Sequence, residues 1–365
     1  MNQNRYRGMK NMLILAIKKM SASFFLTVRQ IQRLTENAVT VDFTVPPTEG
    51  ADFAFVAGQY LTLEAEINGD FVRRAYSLCS APHEESLAVG IKKVPRGKFS
   101  SFANDVLKVG DQLRVFPPEG RFAYRPKNNE SLLLFAAGSG ITPLFSIIKT
   151  ALNRNDSTHV CLVYGNKTPQ DVMFAEELSA LQKAFPDRFQ LHWVFSQSNE
   201  KNALFGRIDA SVVAFALNQS KQQPDQAFLC GPEPMILTVK EELFKKNFAE
   251  EQIHFELFHS GKKVADEAVS SGEEVSIQLL CDQQEHQLVS TPDKTLLEAA
   301  MQAKIDVPYS CQGGVCCSCI AKVTQGTAVM ENNQVLTDSE IEEGLVLTCQ
   351  AIPQSKSITV DFDDV

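Results

Sequence analysis

The apolar pattern of this chain changes period near residue 127, and that change constrains the fold more than any bulk property. From residue 24 to about 122, short runs at 24–28, 39–45, 60–67, 72–78, 87–94 and 112–116 alternate or run apolar between Gly, Pro and Asn/Asp breaks. Six short strands with one helical insertion near 99–107 predict a small antiparallel β-barrel. From 131 to 257 the rhythm becomes strand then helix. Strands are expected at 132–137, 160–164, 189–195, 227–230 and 253–257, with helices at 143–152, 171–184, 209–217 and 234–244. Such alternation marks an α/β doubly wound parallel sheet. A third pattern follows a small, polar stretch at 259–272 that reads as a linker. It holds a hairpin across Asp282-Gln283, a helix near 295–303 and a strand at 357–360, in a compact module of about ninety residues.

The chain has 365 residues, which suits several cores rather than one. The expected division is 21–126, 127–258, the linker 259–272, and 273–365. Residues 1–20 are basic around a six-residue apolar run at 12–17, too short to span a bilayer. They read as a doubtful leader from an upstream start, with Met20 a natural beginning. Charge is uneven along the chain. From Glu273 onward there are fifteen acidic residues against four lysines, whereas the part before it carries 31 basic and 29 acidic residues. That pattern points away from nucleic acid and towards docking on a basic protein surface, the plain alternative being an acidic face that confers solubility, and no membrane partner is expected.

Within the acidic module, Cys311, Cys316 and Cys319 stand in C-x4-C-x2-C spacing, answered by Cys349. Three thiolates on one short loop plus a distant fourth fit a 2Fe-2S cluster, in which the loop must aim its sulfurs at two irons. Gly313 and Gly314 suit a loop whose backbone passes close to the cluster. A structural zinc site and a Cys316/Cys319 disulfide are the competing readings, but zinc sites usually pair two C-x-x-C-like knuckles and only one is present. Cys317 is an extra thiol in the loop. Nine cysteines in all point to a reducing, cytoplasmic setting.

Two motifs mark the barrel. Arg74-Ala-Tyr76-Ser77 closes a strand: the arginine fork suits a flavin phosphate, the ring can cover the isoalloxazine, and the serine can hydrogen-bond the flavin's reactive nitrogen. Gly97-Lys-Phe-Ser100 opens a helix whose free amides can hold a pyrophosphate, favouring FAD over FMN; a turn with an N-cap is the plain alternative. In the sheet, Gly138-Ser-Gly140-Ile-Thr142-Pro follows the first strand, where a dinucleotide can lie against the backbone at a helix start. Cys230-Gly231-Pro-Glu-Pro-Met sits at the carboxyl end of a later strand, where Cys230 can line a nicotinamide pocket or simply fill the core.

In this order, RAYS, GKFS, GSGITP, CGPEPM and the four-cysteine module resemble the ferredoxin-NADP reductase superfamily, in its oxygenase-reductase branch with a C-terminal plant-type ferredoxin domain. The likeness runs from residue 21 to 365. It implies a barrel for FAD, a parallel sheet for NADPH or NADH, and a β-grasp α+β ferredoxin domain. It further implies that Arg74, Tyr76 and Ser77 hold the flavin, with Gly97 and Ser100 at its phosphates. Gly138, Gly140 and Thr142 would form the nucleotide site, Cys230 and Gly231 would lie beside hydride transfer, and Phe258 would lie near the flavin. Tyr76, Ser77 and Cys230 are then the expected catalytic positions. Where NADPH-preferring relatives place Ser-Arg, this chain has Ser196-Gln197, although Lys167 or Arg207 can substitute. The implied activity converts a two-electron donor to one-electron steps: NAD(P)H to FAD to the 2Fe-2S cluster to a separate protein. Phenylacetyl-CoA epoxidase is the expected acceptor. A steroid or aromatic-ring oxygenase or a hybrid-cluster protein is the alternative, followed by a non-enzymatic cofactor-binding sensor.

Overall fold

A computed structural model of the chain describes residues 23–154, 157–220, 222–258 and 274–365. The expected leader lies outside these residues, as does the whole of the expected linker. Two compact units emerge, one from Phe25 to Phe258 and one built on the residues after His259. Among the described residues no helix is long and apolar enough to cross a membrane.

The first unit begins with a six-stranded antiparallel sheet in the order β4-β3-β6-β1-β2-β5, namely β1 (Phe24–Thr35), β2 (Ala38–Thr44), β3 (Tyr60–Ile67), β4 (Asp70–Ser77), β5 (Leu87–Lys92) and β6 (Gln112–Val115). Its two edges meet at one end, where Leu78, just past β4, bridges Val89 in β5. The Cys79 amide adds a bond to the Ala88 carbonyl at 2.8 Å. The sheet therefore curls into the expected barrel. Strand β1 runs well beyond the apolar segment at 24–28, because its polar half pairs through the backbone, Gln30 against Asp42 and Gln32 against Thr40. Helix α1 (Lys98–Asp105) packs on the barrel through buried Phe99 and Ala103.

The second half of this unit is a parallel sheet in the order β10-β9-β8-β7-β11-β12. Its strands are β7 (Ser131–Ala137), β8 (His159–Asn166), β9 (Phe189–Phe195), β10 (Leu204–Phe205), β11 (Gln226–Gly231) and β12 (Ile253–Leu257). Helices α2 (Ile141–Leu152), α3 (Ala175–Ala184), α4 (Ala210–Gln219) and α5 (Glu233–Lys245) connect them. Strand β7 is buried along six of its seven residues, as a central parallel strand should be. Helix α2 buries Ile141, Leu144, Ile147 and Ile148, each contributing about 1.5–3 kcal/mol. The expected helix at 171–184 is corrected. A capped 3-10 turn occupies Pro169–Asp171, Phe174 takes a left-handed backbone (φ 61°), and α3 starts only at Ala175. Phe174 turns inward because its ring stacks on Phe145 at 4.4 Å.

The other unit has a five-stranded mixed sheet in the order β14-β13-β19-β15-β17. These are β13 (Val275–Cys281), β14 (Gln284–Ser290), β15 (Ile320–Gln325), β17 (Leu345–Leu347) and β19 (Ser357–Asp361), with β16 (Ala328–Met330) pairing β18 (Ala351–Pro353) apart from it. Asp282 and Gln283 both have positive φ, 53° and 62°, as a two-residue hairpin turn requires. Helix α6 (Leu296–Gln302) starts at Thr295, whose side chain accepts from the Glu298 amide in a capping box. It lays Leu296, Leu297 and Ala300 on the sheet beside Ile277, Ile358 and Phe362. A short helix α7 (Asp338–Glu342) follows β16.

Candidate functional site

Strand β4 pairs with β3 along its whole length, from Tyr60 opposite Ser77 to Ile67 opposite Asp70. This fixes the end of the RAYS motif. Arg74 donates to the Arg73 carbonyl at 2.7 Å, keeping its guanidinium near the strand. The Tyr76 ring lies 5.5 Å from that of Phe99, tilted by 41°, so the strand end and the start of α1 share one aromatic contact. Burial pushes the Tyr76 phenol up, so it stays neutral. Gly97 is the N-cap of α1 in an extended conformation. A Cβ there would meet the Ser100 Oγ at 2.3 Å and the Val94 Cγ2 at 2.5 Å. The Ser100 hydroxyl accepts from the Val94 amide at 3.2 Å, closing the turn. What this turn offers a phosphate is therefore the backbone amides at the helix start rather than the serine side chain.

The barrel and the sheet meet at Ser77. Its hydroxyl donates to Glu256 Oε2 at 3.3 Å. Glu256 stands opposite Cys230 in the β11–β12 register. Cys230 is fully buried, and burial together with the Glu256 charge holds its thiol well above the ordinary range. Ser77 and Cys230, both anticipated, are thus brought together by Glu256, which the sequence did not single out. Phe258 lies just past β12, half-buried against the main core.

The Gly138–Gly140 turn joins β7 to α2. Gly138 has φ +55°, and the Tyr164 hydroxyl donates to its carbonyl at 2.9 Å. Gly140 presses on the CGP segment: a Cβ there would lie 2.1 Å from the Cys230 carbonyl oxygen and 3.0 Å from the Gly231 nitrogen. Gly231 is similarly tight, with Ala137 Cβ 3.1 Å away. The Thr142 hydroxyl donates to the Ser139 carbonyl at 3.0 Å, while its methyl fills the space a Cβ on barrel residue Gly90 would take, at 2.4 Å. Thr142 accordingly holds the turn and the barrel together. Lys92, at the end of β5, reaches the same turn, its Nζ 3.9 Å from where a Gly138 Cβ would be, and burial lowers its pKa. It is a second residue absent from the sequence motifs, a lysine facing the Gly138–Gly140 turn. Across the sheet, the Ser196 and Gln197 amides donate to the carbonyls of Asn166 and Lys167, at 3.0 and 2.9 Å. Lys167 and Arg207 are exposed.

In the other unit, Cys316, Cys319 and Cys349 are buried and Cys311 is half-buried. The thiols interact in pairs, Cys311 with Cys316 and Cys349, and Cys349 also with Cys319. Four thiolates, three on one loop and a distant fourth, are the donor set of two irons sharing four sulfurs. The Gly313 amide donates to Cys311 Sγ at 3.3 Å, a backbone bond of the kind that stabilises a thiolate. Gly314 has φ +73°, and a Cβ there would meet the Asn332 carbonyl oxygen at 2.7 Å. Asn332 in turn donates to the Gly313 carbonyl at 2.8 Å, clamping the loop. Donor set, loop shape and amide direction all fit the cluster.

Family models describe the same three parts. An oxidoreductase FAD-binding domain matches residues 26–124, an oxidoreductase NAD-binding domain 134–241, and a 2Fe-2S iron-sulfur cluster binding domain 279–354. The chain is 36% identical over 353 residues to a component of the 1,2-phenylacetyl-CoA epoxidase of Escherichia coli (strain K12), covering 93% of this chain and 97% of that protein. It is 35% identical over 355 residues to the ferredoxin reductase component of 3-ketosteroid-9-alpha-monooxygenase from Rhodococcus rhodochrous, covering 94% and 97%. Among solved structures, phthalate dioxygenase reductase shares the fold, with a TM-score of 0.63 at 24% identity over 93% of this chain and 98% of that one.

Proposed function

The chain belongs to the family of oxygenase reductase components built from FAD-binding, NAD-binding and 2Fe-2S domains, and from that premise we propose that its acceptor is a phenylacetyl-CoA epoxidase in the cytoplasm. When bound, the three cofactors supply the redox chemistry: hydride acceptance from the nicotinamide, then release of single electrons through the cluster. The observation that carries the hydride-transfer part of the reading is the contact of Ser77 with Glu256 beside Cys230, because it joins the flavin end of the barrel to the nucleotide end of the sheet.

The remaining roles belong to the chain's own residues. Arg74 binds a flavin phosphate and Tyr76 covers the ring system, with the amides after Gly97 and near Ser100 taking the second phosphate. Gly138 and Gly140 let the nucleotide pyrophosphate approach backbone, Lys92 offsets its charge, and Thr142 holds the turn in place. Ser77 Oγ holds a proton that Glu256 keeps oriented, Cys230 and Gly231 exclude water from the transfer position, and Phe258 closes it. Cys311, Cys316, Cys319 and Cys349 ligate the irons. The domain limits 21–126, 127–258 and 273–365 follow the same division of labour.

The acceptor is supported by the 36% identity to the epoxidase component. A steroid oxygenase is the second reading, supported by the 35% identity to the 3-ketosteroid enzyme component. Purified holoprotein mixed with the epoxidase oxygenase, phenylacetyl-CoA and NADH or NADPH should form epoxide in step with nucleotide consumed. Coupled turnover only with the steroid oxygenase would select the second reading.

A further inference from the structure

We propose that Gln350 is a positioning residue that sets the reduction potential of the iron-sulfur centre by donating its amide N–H to the sulfur of Cys349. The inference rests on the electron-transfer role proposed above. Gln350 Nε2 lies 3.6 Å from Cys349 Sγ, 2.9 Å from the Cys349 carbonyl oxygen and 3.3 Å from the Gln312 carbonyl oxygen. All three neighbours are acceptors, so the NH2 end of the amide faces them and its two N–H groups are shared among the three. A sulfur acceptor tolerates a longer separation than oxygen because the atom is larger.

The side chain has little freedom to choose another pose. Its Cγ lies 3.1 Å from where a Cβ on Gly314 would stand, so it rests on the cysteine loop where that glycine leaves room. Its backbone is fixed as well, since the Gln350 carbonyl accepts from the Glu331 amide at 3.0 Å and its amide donates to the Leu347 carbonyl at 2.8 Å. The residue thus ties the fourth ligand, Cys349, to the loop carrying the first, through Gln312.

The electrostatic consequence has a definite sign. A thiolate sulfur carries more negative charge when the cluster is reduced, so an N–H aimed at it stabilises the reduced state more than the oxidised one. Gln350 therefore raises the potential and makes the centre a better acceptor. The Gly313 amide acts likewise on Cys311 Sγ, at 3.3 Å, but only proline would remove that backbone donor, and its ring would also fix φ in the cysteine loop. The Gln350 donor can be removed while all four ligands stay.

The test is redox titration of the purified holoprotein, comparing wild type with Gln350→Leu and Gln350→Glu. The expected result is full iron content and a lower cluster potential in Gln350→Leu, by about tenfold in the one-electron reduction equilibrium, which is about 59 mV. Gln350→Glu should fall further because it adds a negative charge, and the flavin potential in the same molecule should not move. A fully loaded Gln350→Leu with the wild-type potential overturns the proposal. If the variants fail to hold the cluster, wild type labelled with nitrogen-15 in glutamine side chains decides it. Pulsed EPR of the reduced centre should show coupling to an amide nitrogen, and its absence overturns the proposal. Wild type that binds no cluster at all would instead overturn the function on which the inference rests.

Discussion

Substituting Gly140 by alanine should slow flavin reduction by the nucleotide about a hundredfold while leaving both bound cofactors in place. The added Cβ would stand 2.1 Å from the Cys230 carbonyl oxygen and 2.5 Å from its carbon, whereas ordinary contact begins at 3.4 Å. The two segments would have to part by about 1.3 Å. Cys230 cannot supply that movement, because it is fully buried and pairs with Ala136 on one side and Glu256 on the other. The Gly138–Gly140 turn must move instead, and with it the surface proposed to hold the nucleotide. A misplacement of about 1 Å at a reacting centre can cost about 10²-fold in rate, and overpacking a close-packed contact costs about 1–3 kcal/mol in stability. Anaerobic stopped-flow bleaching of the flavin measures the first effect and thermal unfolding the second. Gly110→Ala separates them: a Cβ there meets nothing within 4 Å but sits at φ +93°, so it should lower stability without slowing reduction. Wild-type reduction kinetics in Gly140→Ala would refute the reasoning, because the turn would then not have to keep that contact for hydride transfer.

Ser77→Ala removes the hydroxyl bonded to Glu256 and should slow flavin reduction at least tenfold with unchanged FAD content, since a hydrogen bond to a charged group contributes about 1.5–3 kcal/mol; stopped-flow rates and flavin quantitation check both halves. Cys319→Ser should abolish the visible iron-sulfur bands and lower iron per chain, whereas Cys281→Ser, a change at a buried thiol on β13, should keep both. Electron delivery to the oxygenase should weaken as salt rises, because fifteen acidic residues against four lysines from Glu273 onward favour a basic partner and their attraction is screened; transfer rates that hold constant from low to high ionic strength would exclude electrostatic docking.

The architecture was readable because burial imposes it on sequence. β7 is apolar at almost every position and the hairpin β13–β14 is punctuated by Asp282-Gln283, so period and turn chemistry exposed both. The second half of β1 was not readable. Arg29, Gln30, Gln32 and Arg33 have no apolar alternation, and their strand is held by backbone pairing, by the Arg29–Asp42 ion pair and by a bond from Arg33 to Asn104 at 2.9 Å. The start of α3 was missed because Phe174 reads as a helical residue, and only its stacking on Phe145 reveals why the chain turns there. In the site, Ser77, Cys230 and the glycines announce themselves in short motifs. Glu256, Lys92 and Gly90 do not, because each matters through a register partner or a packing neighbour far away in sequence. A carboxylate inside the strand HFEL carries no local mark; its standing opposite Cys230 does.

The division of the molecule follows the physical demands of its two kinds of transfer. Hydride transfer needs reacting atoms at contact distance and aligned, a condition that tolerates little slack. The unit responsible is correspondingly stitched across its two halves. Ser146 donates to the Ser80 carbonyl at 2.6 Å, Lys149 pairs with Glu84 at 2.6 Å, and Thr142 packs into the gap at Gly90. A Cβ on Gly58 would meet the Phe122 carbonyl oxygen at 2.3 Å and lie 3.5 Å from Ile147, so barrel, connecting segment and helix α2 leave no room to slide. Single electrons tunnel and need proximity rather than bonded contact, so the cluster can sit in a separate compact unit with its own core. What that unit must control is the energy of the electron it holds. The fold meets this need with donors aimed at sulfur, from Gly313 to Cys311 and from Gln350 to Cys349. Contact geometry in one unit and local electrostatics in the other thus account for why the same chain is rigidly sewn before Phe258 and modular after it.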